Sequence, residues 1–193
     1  VAVDDFQDLM GVAIDEKIDM VFLGAGLPIK GIRIEKLRAA GVKVIPIVSS
    51  ARAAGLIFRS WSKKYQDIPD AVVVEGPKAG GHLGFKADQI DDPEFELERI
   101  LPEVVAEIKK FERNYHRKIP VIAAGGVYTG ADIYRIMKLG AGGVQMGTRF
   151  VATHECDADV RFKEAYVACS EDDLEIIKSP VGLPGRAIRN NFL

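Results

Sequence analysis

Residues 75–84, Glu75-Gly-Pro-Lys-Ala-Gly-Gly-His-Leu-Gly84, set one imidazole among glycines. Imidazole is the side chain whose charge changes near neutral pH, so it can take or return a proton in a reaction run there. Glycine lacks a Cβ, which lets the backbone turn sharply and lie close to a flat ligand. The stretch follows Ala71-Val-Val-Val74, an uninterrupted β-branched run of the kind that forms a strand covered on both faces. The carboxyl ends of such strands are where α/β proteins keep their ligands. His82 is therefore expected in an irregular loop at a sheet edge, outside any regular helix or strand face.

Two more strand ends carry chemistry suited to a phosphoryl group. Gly125-Gly126 closes a strand that begins at Pro120, and Gly147-Thr148 belongs to the next, expected over 143–151. Glycines expose backbone N–H groups, a following helix adds its positive end, and a threonine hydroxyl is a further donor. One glycine after a strand is usually only a turn. Two in adjacent units, beside a third glycine loop with a histidine, point to a ligand. In barrels a phosphate commonly sits in the loops after the last two strands. There is no G-x-G-x-x-G or P-loop pattern, which disfavours a dinucleotide fold.

These loops need a sheet to hold them. Asp4 or Asp5 can cap a helix with Phe6, Leu9, Ala13 and Ile14 on one face. A buried strand follows over 19–26, then a helix over 32–40 stopped by Gly41. The strand over 42–48 contains Pro46, awkward in a central position because it donates no ladder hydrogen bond. Ser49 or Ser50 caps a helix through Ala53, Ile57 and Trp61. The acidic excursion at 85–93 reads as a solvated loop in preference to a lid. Leu101, Val104, Val105, Ile108 and Phe111 repeat every 3.6 residues, with Pro102 expected near the first turn of their helix. Thr129 caps Ile133-Tyr-Arg-Ile-Met137, which Gly140 ends. A helix over 160–168 and a short one opened by Ser170, with Asp173 completing its capping box, come last. The tail Ser179-Pro-Val-Gly-Leu-Pro-Gly185 is too rich in proline and glycine for a regular element.

Strands alternating with helices are the βα repeat of a parallel sheet. A closed (β/α)8 barrel takes about 250 residues, so 193 residues hold only its later portion; an open doubly wound sheet is the alternative. The first residues, Val1-Ala2-Val3, read as the end of a strand, and there is no initiator methionine, so a longer protein is expected. Barrel residues 1–156 and a packed tail, 157–193, divide the chain. The composition, 48% hydrophobic with a net charge of −2, suits a globular core and gives no electrostatic case for nucleic acid or an anionic membrane. Cys156 and Cys169 match no zinc spacing, no metal is expected, and reduced thiols fit a cytoplasmic protein. His116, in the basic exit of a helix, reads as a surface cap, and His154 as structural.

Three segments together, 75–84, Ala123-Ala-Gly-Gly126 and Gln145-Met-Gly-Thr-Arg-Phe150, resemble the nitronate monooxygenase (2-nitropropane dioxygenase) family, related to FMN-dependent enoyl-ACP reductase. The resemblance runs from about Val1 through Phe150. It implies a TIM barrel with FMN at the carboxyl ends of its strands and alkyl nitronates oxidised by O2. By motif position it implies that Gly125, Gly126, Gln145, Met146, Gly147 and Thr148 hold the phosphate. Glu75, Gly80 and Gly81 would line the flavin nearer its ring, and His82 would be the catalytic histidine. The family's N-terminal glycine-rich segment and its early flavin-contacting asparagine have no counterpart in this chain. Many nitronate monooxygenases carry glutamine where Glu75 stands, and the reductases often carry glutamate. The tail over 179–186 is more similar to the monooxygenase side. The alternatives are an NAD(P)H-dependent enoyl-ACP reductase and a non-redox phosphate-binding barrel. A small-molecule substrate with O2 is the expected partner, and no oligomeric state follows from the sequence.

Overall fold

The computed structural model describes residues 5–179 and 182–191. The expected strand end at Val1-Ala2-Val3, an Asp4 cap, and Pro180 and Val181 of the tail lie outside the described residues. In chain order the elements are α1 (Phe6–Asp15), β1 (Met20–Leu23), α2 (Ile34–Ala39), β2 (Lys43–Val48), α3 (Ala51–Tyr65), β3 (Val72–Glu75), β4 (Gly81–His82) and α4 (Leu97–Tyr115). There follow β5 (Val121–Ala124), α5 (Gly130–Lys138), β6 (Gly143–Gln145), α6 (Thr148–Val151), α7 (Val160–Ala168), β7 (Leu174–Lys178) and β8 (Pro184–Ile188). Five strands form one parallel sheet in the order β1-β2-β3-β5-β6; β4, β8 and β7 form a separate antiparallel sheet.

The parallel strands lie side by side in chain order, without a reversal. Right-handed crossovers that always step the same way put their helices on one face, whereas a doubly wound sheet reverses and covers both. Burial follows. Leu23, Val44, Val48, Val72, Val74, Val121 and Ala123 point to the helix side and pack with Leu37, Phe58, Trp61, Leu101 and Ile108. Their alternate neighbours Ile45, Val73 and Ala124 form a much smaller group with Ile47 and Ile122 on the other face. Burying one large apolar side chain contributes roughly 1.5–3 kcal/mol. An exposed ion pair such as Arg99–Glu94 contributes about 0–1 kcal/mol. The helix-side core therefore holds the arc together.

Local chemistry sets the element ends. Ser50 accepts the Ala53 amide at 3.2 Å and opens α3. Gly41, at φ +79°, ends α2 in a Schellman turn: its N–H donates to the Arg38 carbonyl at 3.0 Å and that of Val42 to the Leu37 carbonyl at 2.9 Å. Thr129 and Asp132 cap α5 reciprocally, and hydrogen bonds from Thr129 hold the Asp132 carboxyl down to about 2. Ser170 and Asp173 form the expected capping box, around a 3₁₀ turn at Glu171–Asp173. Trp61, fully buried, ties the loop after β1 to α3 by donating Nε1–H to the Pro28 carbonyl at 2.7 Å.

Several expectations need correction. Pro46 does lie in an interior strand, but at a changeover: β1 pairs with β2 up to Pro46, and the β3 pairing starts at Ile47. Pro102 sits in the second turn of α4, because Leu97 and Ile100 carry the buried face further upstream. On α1, Met10 is buried where Leu9 was expected, Leu9 is 54% exposed, and the Asp5 side chain makes no cap bond. Residues 85–93 are pinned rather than merely solvated, by buried Phe85 and Ile90, with the Phe85 ring edge-on to Phe95. The strand expected over 143–151 stops at Gln145, opposite the last residue of β5, and α6 takes over. The stretch expected to be irregular, 179–185, is so at its described residues 179, 182 and 183, but Pro184 and Gly185 begin β8, which pairs with β7 from Leu174↔Ile188 to Lys178↔Pro184. Pro184 occupies the first position of β8, where a strand tolerates a missing donor.

Candidate active site at the carboxyl edge of the sheet

Because β3, β5 and β6 are adjacent and parallel, the loops that follow them leave the same edge of the sheet. The first two touch. A Cβ on Gly125 would lie 2.9 Å from the Gly76 carbonyl oxygen, and one on Gly126 would lie 3.0 Å from Lys78 Cβ. Both residues also have left-handed backbones, at φ +89° and +80°. Packing of one turn on the other is therefore sufficient reason for this glycine pair. Among the described residues, neither amide donates a backbone hydrogen bond, so both donors remain available. A cleft of about 50 Å³ opens beside them, lined by Lys78, Leu97 and Arg135.

Other glycines face open space. No atom lies within 4 Å of where a Cβ would stand on Gly80, Gly81 or Gly147. Gly147 leads into α6, whose first residue, Thr148, is exposed. Gln145 is exposed, opposite Ala124 on β5. Met146 is partly buried and packs against the helix-side core, so its side chain is committed there.

Glu75 ends β3 on the same face as Val73, next to the small side chain of Ala124. It is half-buried, and burial pushes its carboxyl above the usual carboxylate range.

His82 corrects the expectation of an irregular loop. It belongs to β4, paired with Gly185 of β8, and its side chain is exposed. Ala79 and Leu83 on either side are buried, and the Leu83 amide donates to the Pro184 carbonyl at 2.8 Å. The imidazole thus projects from a backbone anchored on both sides. A residue that sequence reasoning left without a role, Arg186, donates from Nη2 to the Pro77 carbonyl at 3.2 Å, bridging 109 positions. No local spacing could have signalled that contact. His116 is the left-handed C-cap of α4 and exposed, as a surface cap requires. His154 is exposed beyond α6. Among the described residues no cluster of His, Cys, Asp or Glu could hold a metal ion, and no helix is long and apolar enough to cross a membrane.

The sequence profile described as nitronate monooxygenase matches residues 1–193. This chain belongs to the nitronate monooxygenase family. The family groups it with flavin-dependent oxidoreductases. Over 190 residues the chain is 30% identical to a probable nitronate monooxygenase of Staphylococcus saprophyticus, covering 97% of this chain and 49% of that one. Over 160 residues it is 34% identical to a (3aS,4S,5R,7aS)-5-hydroxy-7a-methyl-1-oxo-octahydro-1H-indene-4-carboxyl-CoA dehydrogenase of Rhodococcus jostii, covering 83% and 38%. Its fold matches that of FabK from Thermotoga maritima with a TM-score of 0.78 at 35% identity, covering 100% of this chain and 53% of FabK. The chain thus spans about half the length, or less, of these family relatives.

Proposed function

We propose that this chain supplies the carboxyl-edge loops of an FMN-dependent oxidoreductase that oxidises alkyl nitronates with O2. The observation that carries the reading is the meeting of the histidine loop and the glycine turns at neighbouring strand ends, where Gly125 and Gly126 pack directly on 76–79. In this reading the parallel arc continues into a closed (β/α)8 barrel, with residues 1–156 within it and 157–193 packed upon it, in a cytoplasmic protein.

The residues present fit the phosphoryl end of FMN. Gly125 and Gly126 offer uncommitted amides, Gly147 leaves room for close approach, and Thr148 adds an exposed hydroxyl. Gln145 contributes its side chain and Met146 only its backbone. Gly80 and Gly81 leave a bare backbone surface for the ring, with Glu75 at the end of β3. FMN, held by these residues, would supply the redox chemistry between the nitronate and O2. His82 takes the proton α to the nitro group of a neutral nitroalkane, or donates a hydrogen bond to a nitro oxygen of the anion.

A second reading, FMN- and NAD(P)H-dependent reduction of an enoyl thioester, draws on the carboxylate at Glu75 and on the 34% identity to an enzyme named for a carboxyl-CoA substrate. Anaerobic mixing separates the two. Bleaching of the flavin absorbance by ethyl nitronate, and not by NADH or NADPH, is the expected result; bleaching by the nicotinamides alone would transfer the proposal to the reductase. Failure to take up flavin at all would remove both.

A further inference from the structure

We propose that Arg186 is a positioning residue for His82, acting through the loop that carries it; this rests on the reading of His82 as the proton-transferring group. Residues 184–186 grip that loop at three places. The Leu83 amide donates to the Pro184 carbonyl at 2.8 Å, Gly81 and His82 pair with Arg186 and Gly185, and Arg186 Nη2 donates to the Pro77 carbonyl at 3.2 Å. Pro77 and Leu83 bracket the histidine, so a three-residue segment of the tail fixes both ends of the turn.

Buried Ala79 and Leu83 seat the ends of the loop on the core, and between them Gly80, Gly81 and His82 are exposed. One backbone bond, from the Ala79 amide to the Gly76 carbonyl at 3.2 Å, closes its first half. Gly80 and Gly81 have no side chains to pack and border open space, so their order must be imposed from outside. The guanidinium spans from β8 to Pro77, and Nη2 makes its one hydrogen bond among the described residues. Its Nη2–H reaches the Pro77 carbonyl from a strand whose backbone is already paired to the loop. That makes the hairpin β7–β8 part of the apparatus that sets the imidazole. A lysine could supply the same single donor to Pro77, from a more flexible stem.

The test uses the protein as it exists, with Arg186→Ala and Arg186→Lys. Hydrogen exchange at the Leu83 amide should accelerate at least about tenfold in Arg186→Ala and less in Arg186→Lys, with amides in α3 and α4 unchanged. For a neutral nitroalkane, kcat should fall about tenfold in Arg186→Ala with KM nearly constant, and recover in part in Arg186→Lys. Turnover of the preformed nitronate and flavin content should hold. Unchanged Leu83 exchange, exchange that also rises throughout α3 and α4, or an unaltered kcat would each overturn the proposal. Should the unsubstituted protein turn over neither nitro form, the nitronate reading falls, and the Leu83 exchange alone upholds or overturns the clamp.

Discussion

His82 and Glu75 show how differently one edge of a sheet can treat two ionisable side chains. His82 is exposed between buried Ala79 and Leu83, so its backbone is held nearby while the ring is free to meet a ligand. His82→Asn removes the base and leaves the glycine turns alone. It should retain flavin yet lose roughly 10²-fold or more of neutral nitroalkane turnover; steady-state assays showing full activity would take His82 out of the mechanism. Glu75 instead ends a buried strand, and burial raises its carboxyl. Between the ordinary value of about 4.3 and the raised one, the folded state keeps a proton that the unfolded state has lost. Stability therefore falls as pH rises through that window and stays lower at neutral pH. Glu75→Gln should raise Tm near neutral pH, by no more than about 2–4 °C. That gain should disappear as pH falls through the ordinary carboxylate range, and a thermal melt series with a constant difference would refute it.

Among the elements, the glycine turns separate packing from binding. Gly125 combines φ +89° with a carbonyl 2.9 Å from the Cβ it lacks. Gly125→Ala should cost about 1–3 kcal/mol in a urea melt, the usual range for a strained backbone position. Gly147 has φ −102° and open space, so Gly147→Ala should leave the melt unchanged. Weaker FMN binding by Gly147→Ala, titrated by fluorescence quenching, is expected if that space receives the phosphoryl group; undisturbed binding would move the phosphate elsewhere. The sequence shows both glycine turns but not this distinction, because the neighbours that decide it for Gly125 and Gly126 come from 76–79. The five parallel strands were legible for the same kind of reason that the tail was not. Runs such as Val72-Val-Val74 declare themselves within a few residues. The hairpin β7–β8 depends on a turn at Gly182, φ +82°, and on β4 as a third strand. Proline and glycine punctuation in 179–185 conceals it, and with no partner strand legible the glycines around His82 predict a loop. Pro102 lies deeper in its helix, and the strand after Gly143 ends sooner, than local spacing predicts, because element ends are set by neighbours: buried Leu97 opens α4, and β6 stops opposite the end of β5.

For the molecule as a whole, the two faces of the parallel sheet carry unequal shares of the stability. The helix side holds fully buried Ile57, Phe58, Trp61 and Leu101, while the opposite side leaves Met20 41% and Phe22 46% exposed on β1. A closed barrel would have its strands' second face filled by layers of side chains; in the described residues only Ile45, Ala71, Val73 and Ala124 are buried there. Stability of this chain should therefore respond to the helix side and be nearly indifferent to the β1 positions on the other. Ile57→Ala should lose about 2–5 kcal/mol, since it opens a cavity in packed surroundings. Phe22→Ala should lose under about 1 kcal/mol, because much of its ring is already in contact with water, and it should also reduce binding of a fluorescent apolar dye by the 193-residue chain. Urea melts of the two variants decide the matter. Equal losses would mean that Phe22 is packed in solution, by a closed barrel or a second molecule, and that both faces of the arc are load-carrying.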